Sequence, residues 1–142
     1  MRRTGSRYVK VVDFIFYNEK MIRQAIVEAR NDIPQVGKNG SGVGDPTATQ
    51  AIRNATPIRF VNINGTRVER PESWLKVIDS TRAWFAMDNE KRIVMHDMYE
   101  NVNYKATCAV LSIAPTTLHR FRQEIRMHAS LCAANLNLIK FV

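Results

Sequence analysis

The run Val102 to Ile125, VNYKATCAVLSIAPTTLHRFRQEI, permits few folds. A first helix beginning near Tyr104 places the small Cys108 and then Leu111 where a second helix must come close. Ser112 falls where the chain reverses, and Ile113 drops back into the core as a plug between the helices. Ala114 and Pro115 open the next helix, because proline at the first helical position gives up no needed hydrogen bond and has its φ preset. Leu118, Phe121 and Ile125 follow three and four apart, which puts them on one buried stripe. The other face carries Thr116, Thr117, His119, Arg120 and Gln123 behind Pro115. Such side chains meet phosphates through charge and hydroxyl, or base edges through bidentate bonds from Arg and Gln. Pro115, Thr116, Thr117, His119, Arg120 and Gln123 are therefore the candidate DNA-contacting residues. The competing use of the same pattern is an ordinary helical hairpin with a solvated charged face.

At 142 residues the chain can form one modest domain, or a small domain with an accessory arm. A hydrophobic content of 45% argues against disorder, while 21 basic against 13 acidic residues leaves a net charge of +8 and favours an anionic partner. Residues 1 to 30 hold 7 basic and 3 acidic side chains, against 7 and 5 over residues 88 to 142. The excess at Arg2, Arg3, Arg7 and Lys10 suits added phosphate contacts, or simply a soluble terminus. Cys108 and Cys132 fall at helix-buried positions without metal-ligand spacing, which reads as two free thiols in a reducing cytoplasm. The apolar run from Val9 to Tyr17 is interrupted by Asp13 and is too short to span a bilayer, so no membrane partner is expected.

Three segments are expected: 1–44, an amphipathic helix and glycine-rich linker; 45–87, a middle helical segment with a β-hairpin; and 88–142, the helix-turn-helix. Val11, Ile15, Ile22, Ile26 and Ala29 recur at helical spacing, and Phe14, Tyr17 and Met21 widen the face. This predicts one long helix over residues 9 to 30, wide enough to pack within the chain or to self-associate. Asn31 to Gly44, with Pro34 and four glycines, breaks every pattern; its Gly37 and Lys38 lack the Ser or Thr and the preceding strand of a phosphate cradle. Asp45, Pro46 and Thr47 start a short helix to about Asn54. Ile58 to Val61 reads as extended, and Asn64 with Gly65 as the turn leading into Thr66 to Glu69. Pro71 opens a helix with Trp74, Ile78, Thr81 and Phe85 on one stripe, Leu75 and Trp84 flanking it, and both tryptophans expected as core anchors. Asp88 or Asn89 then caps a helix to about Asn101. Leu118, Ile125, Cys132 and Ile139 lie seven apart, so the last helix is expected to extend into a tail able to pair with a second copy. The fold class is mainly α, with a C-terminal helix-turn-helix and a small β-hairpin insertion.

The segment YKATCAVLSIAPTTLHRFR resembles the helix-turn-helix of the sigma-factor domain that reads the upstream promoter element. With DPTATQAI at Asp45 to Ile52 and WLKVID at Trp74 to Asp79, the layout resembles phage late-gene transcriptional regulators of the RinA and ArpU type. In that resemblance Tyr104 takes the aromatic place opening the first helix, Leu111 and Ile113 the buried pair at the turn, and Leu118 and Phe121 the buried positions of the recognition helix. Thr116, Thr117, His119, Arg120 and Gln123 match the DNA-facing positions. Lys105, Ala106 and Thr107 stand where the pattern commonly carries acidic residues, and Ala114 where it carries a capping Ser. The resemblance implies a cytoplasmic, phage- or prophage-encoded regulator of late or packaging genes that binds double-stranded DNA. Further expected partners are RNA polymerase and a second copy of the chain.

Asp88, Glu90, Asp97 and Glu100 are spaced as solvated helix faces, and His96, His119 and His128 have no ligand spacing with the cysteines. No nucleophile sits in a recognisable elbow or beside a base. An enzyme, a metal site and a cofactor are therefore not expected. A small terminase-like packaging subunit and a protein-interaction module that grips RNA polymerase are the alternative functions.

Overall fold

The computed structural model describes residues 5–31 and 56–140. The Gly-rich segment, the helix expected from Asp45, and Arg2 and Arg3 lie outside them. Among the described residues the order is α1 (Gly5–Tyr17), α2 (Glu19–Asn31), β1 (Phe60–Ile63), β2 (Thr66–Glu69), α3 (Pro71–Phe85), α4 (Asn89–Tyr99), α5 (Tyr104–Leu111) and α6 (Pro115–Asn135). The protein is mainly helical with one antiparallel hairpin. Two compact units cut across the three sequence segments: Met1–Glu19 groups with Ser73–Val142, and Lys20–Glu72 stands as the other.

In the larger unit, α6 is the central element, with α1, α4 and α5 packed on it. Its buried Leu118, Ile125, Ala129 and Ala133 follow the helical period, and Val12, Ile15 and Phe16 from α1 and Val94, Met95 and Met98 from α4 add to the core. Polar bonds then fix which helix meets which. The Asp13 carboxylate of α1 accepts from the Tyr99 hydroxyl of α4 at 2.8 Å and from Arg126 Nε of α6 at 3.2 Å. Tyr99 also stacks on Phe16 with ring centroids 4.8 Å apart. Burial, with the Asp13 charge beside it, holds the Tyr99 phenol far above its ordinary range, so it stays a donor. Buried Thr107 of α5 donates to Asp97 of α4 at 2.9 Å.

In the smaller unit the hairpin buries Val61, Ile63 and Val68, and α2 buries Ile22 and Ile26. Glu72 closes the unit by accepting from the Ile58 amide at 2.9 Å and pairing with Arg30.

The expected single helix over residues 9 to 30 is instead two. Asn18 interrupts it: its backbone N–H still makes the helical bond to the Phe14 carbonyl at 3.1 Å, but its side-chain amide donates to the same carbonyl at 2.8 Å, a local bond that competes with helix continuation. Glu19 then starts α2, where a carboxylate suits the helix N-terminus. The first strand lies two residues later than expected. Asn64 (φ 51°) and Gly65 (φ 80°) form the two-residue turn, so pairing counts back from Ile63↔Thr66 to Phe60↔Glu69, and Ile58 goes to Glu72 instead.

Trp74 is buried as expected, but Trp84 is 69% exposed. It lies over the His128 ring of α6 at 4.9 Å, and Phe85 meets the same ring edge-on at 5.5 Å. His128 Nε2 is 3.4 Å from Cys132 Sγ. Cys132 is half-buried, Cys108 is buried, and both are free thiols. The helical tail does not reach Ile139: Asn137 (φ 59°) turns the chain, and the Leu138 amide returns to the Ala133 carbonyl at 2.9 Å. Leu118 and Ile125 lie inside the unit, so the sevenfold series offers no continuous seam. Among the described residues no helix is long and apolar enough to cross a membrane.

Two measurements check this packing. Tyr99→Phe removes the donor to Asp13 and is expected to lower unfolding stability by about 1 to 2 kcal/mol, read as a shift in urea midpoint; an unchanged midpoint shows that the bond contributes nothing. Desolvation lowers the His128 pKa, so the folded state favours the neutral ring. Its contribution is present above the ordinary imidazole range near 6.5 and is lost as pH falls through the lowered folded value. His128→Asn should flatten the stability profile below about pH 6.5, and an equally steep profile in the variant rules His128 out as its source.

Candidate nucleic-acid interface

The site begins at the end of α4. Asn101 (φ 58°) reverses the chain there, and the Val102 amide bonds back to the Asp97 carbonyl at 3.0 Å. Asn103 caps α5, its side chain accepting from the Lys105 amide at 2.8 Å. Eight residues later the chain turns again. Ser112 sits at φ 55°, ψ 46°, and both its own amide and that of Ile113 return to the Cys108 carbonyl. Asn101, Ser112 and Asn137 thus close three helices in the same way, but only Ser112 lacks the side chain that tolerates the left-handed region well. Ile113, half-buried behind this bend, occupies the plug position.

Ala114 is extended (φ −77°, ψ 153°) and precedes Pro115 at the start of α6. No side chain caps that start, so the first-turn amides of Thr116 and Thr117 receive no side-chain acceptor. Those amides and the positive end of the helix dipole form an anion-attracting terminus. Leu118 is buried beneath it, while Phe121 is only half-buried. The Lys91 ammonium and the Arg120 guanidinium lie over the Phe121 ring at 5.3 and 5.6 Å, so Phe121 forms the rim of the stripe and not its floor.

Pro115, Thr116, His119, Arg120 and Gln123 are exposed and Thr117 is half-exposed, all on the first turns of one helix. Arg120 makes no ion pair among the described residues. Glu124, the single carboxylate of α6, is engaged by Lys91 at 2.5 Å, and this partner raises the Lys91 pKa above its ordinary value. The pair removes the negative charge that would otherwise flank Arg120.

Lys105 is a further exposed cation of the motif. It is exposed on the first turn of α5, next to the Asn103 cap. Its sequence signal is the Asn103 cap, which fixes the start of α5 and so sets Lys105 on its first turn. Among the described residues no group of three or more His, Cys, Asp or Glu side chains is placed to hold a metal ion.

Comparison with protein-family models, with curated proteins and with solved structures finds no match for this chain.

The bend itself is testable. Ser112→Val puts a β-branched side chain at positive φ and should cost about 1 to 2 kcal/mol of stability, whereas Ser112→Gly should retain or raise it. Chemical denaturation of both variants checks this, and equal stability of the two shows that the left-handed turn is not a constraint.

Proposed function

We propose that this chain is a sequence-specific DNA-binding transcriptional regulator, cytoplasmic and phage- or prophage-encoded, acting on late or packaging gene promoters. The observation that carries the reading is the bend at Ser112, beyond which α6 leads with an uncapped N-terminus and an exposed row of Thr116, His119, Arg120 and Gln123. In this reading α5 lies across the backbone with Lys105 near a phosphate, and α6 enters the major groove N-terminus first. Thr116 and Thr117 contact phosphate with their amides and hydroxyls, which sets the register. Arg120 and Gln123 supply the fork-shaped donors, and in Gln the acceptor, that distinguish base edges. The net charge of +8 supplies attraction to any duplex and falls off with salt. The phage assignment and the late-gene role come from the resemblance to the RinA and ArpU type regulators.

Selection of binding sites from fragments of the source genome tests the reading, followed by titration of the selected duplex against random duplex at moderate salt. Preferential binding is expected. Arg120→Ala should weaken the selected complex by about 1 to 3 kcal/mol and relax preference at one position. Equal weakening on all sequences reassigns Arg120 to a phosphate, and no preference by the unaltered chain overturns the proposal.

A further inference from the structure

The β1–β2 hairpin buries one face and leaves the other polar. Alternation turns Val61, Ile63 and Val68 inward and leaves Phe60, Asn62, Arg67 and Glu69 exposed. Asn62 stands directly opposite Arg67 in the ladder, and Phe60 opposite Glu69. The Arg67 guanidinium is held 3.9 Å from the Phe60 ring centroid, and its Nε is 3.2 Å from Glu69. Its side chain nevertheless remains 59% exposed. Beside the ladder, Arg59 and Arg70 are also exposed, joined by a bond from the Arg70 amide to the Arg59 carbonyl at 2.9 Å.

Charge decides what such a surface fits. The described residues of the Lys20–Glu72 unit hold Lys20, Arg23, Arg30, Arg59, Arg67 and Arg70 against Glu28, Glu69 and Glu72. Two of those carboxylates, Glu69 and Glu72, already face arginines. The outward strand face offers little apolar area to a protein partner, since its single large apolar ring lies under a guanidinium. A narrow two-stranded ribbon bearing arginine and asparagine matches the sugar–phosphate backbone of a duplex in both shape and charge.

We propose that the hairpin makes its own contact with duplex DNA, in which Arg59 and Arg67 hold backbone phosphates. This rests on the DNA-binding reading above. Phe60 keeps the Arg67 guanidinium ordered on the outer face, so less side-chain freedom is lost when a phosphate is gripped.

The test measures binding of the full chain to labelled preferred and random duplexes over a range of salt concentrations. An Arg59→Gln, Arg67→Gln double variant should reduce the slope of log affinity against log salt by about 2, because each phosphate contact contributes roughly 0.9. Affinity should fall about tenfold near physiological salt, equally on both duplexes. The Arg59→Lys, Arg67→Lys variant keeps the charges and should restore the slope. An unchanged slope in the glutamine variant overturns the hairpin contact and leaves the surface to an acidic protein partner. Weakening confined to the preferred duplex, or failure of the lysine variant to recover, also overturns it. Absence of duplex binding by the unaltered chain defeats the regulator reading itself, which separates the two failures.

Discussion

The Asp13 carboxylate holds together helices that are remote in sequence. Tyr99 and Arg126 both converge on one of its oxygens from separations of 86 and 113 residues. Asp13 and Arg126 are 20% and 18% exposed, so the charges are largely withdrawn from water and depend on each other for compensation. Apolar packing alone would let α1 and α4 slide along α6, because burial is non-directional. A carboxylate with two directed donors permits one arrangement. Through it, the helix bearing the candidate DNA-reading face is fixed against the rest of its unit.

Arrangement and reading face are joined by the short segment between α4 and α6. Thr107 ties α5 to Asp97, Asn101 and Ser112 turn the chain at either end of α5, and Pro115 starts α6 with its φ already set. The Lys91 to Glu124 pair braces α6 from α4 and neutralises a carboxylate on the same helix. Rigidity and positive potential therefore come from the same contacts. In the proposed function a pre-set helix loses little freedom when it enters the groove.

Much of this was legible because the signals are local. Asn64 and Gly65 each adopt the positive φ that their residue types favour, and Asp88 caps α4 with its side chain on the Lys91 amide. Pro115 starts α6 at the expected residue, and the candidate row from Thr116 to Gln123 is exposed because Leu118 and Ile125 commit the opposite face to the core. Less legible were features that depend on a competing bond. Asn18 falls inside the helix expected over residues 9 to 30, but its side chain takes the Phe14 carbonyl. Ile58 read as strand, but its amide belongs to Glu72, fourteen residues away. Trp84 flanks the apolar stripe and is expected as a core anchor by its residue type, yet it is exposed and lies over the His128 ring.

By itself the order of residues determined where helices start and stop around the bend, which face of α6 is apolar, and that the chain is cationic, since capping, periodicity and charge act over a few residues or are simple sums. Tertiary structure alone decided that Asp13 meets Tyr99 and Arg126, that Glu124 is neutralised by Lys91, and that the sevenfold apolar series ends inside its own unit. Those outcomes depend on which distant groups compete for the same buried space and the same donors, and that competition is resolved only when the helices pack.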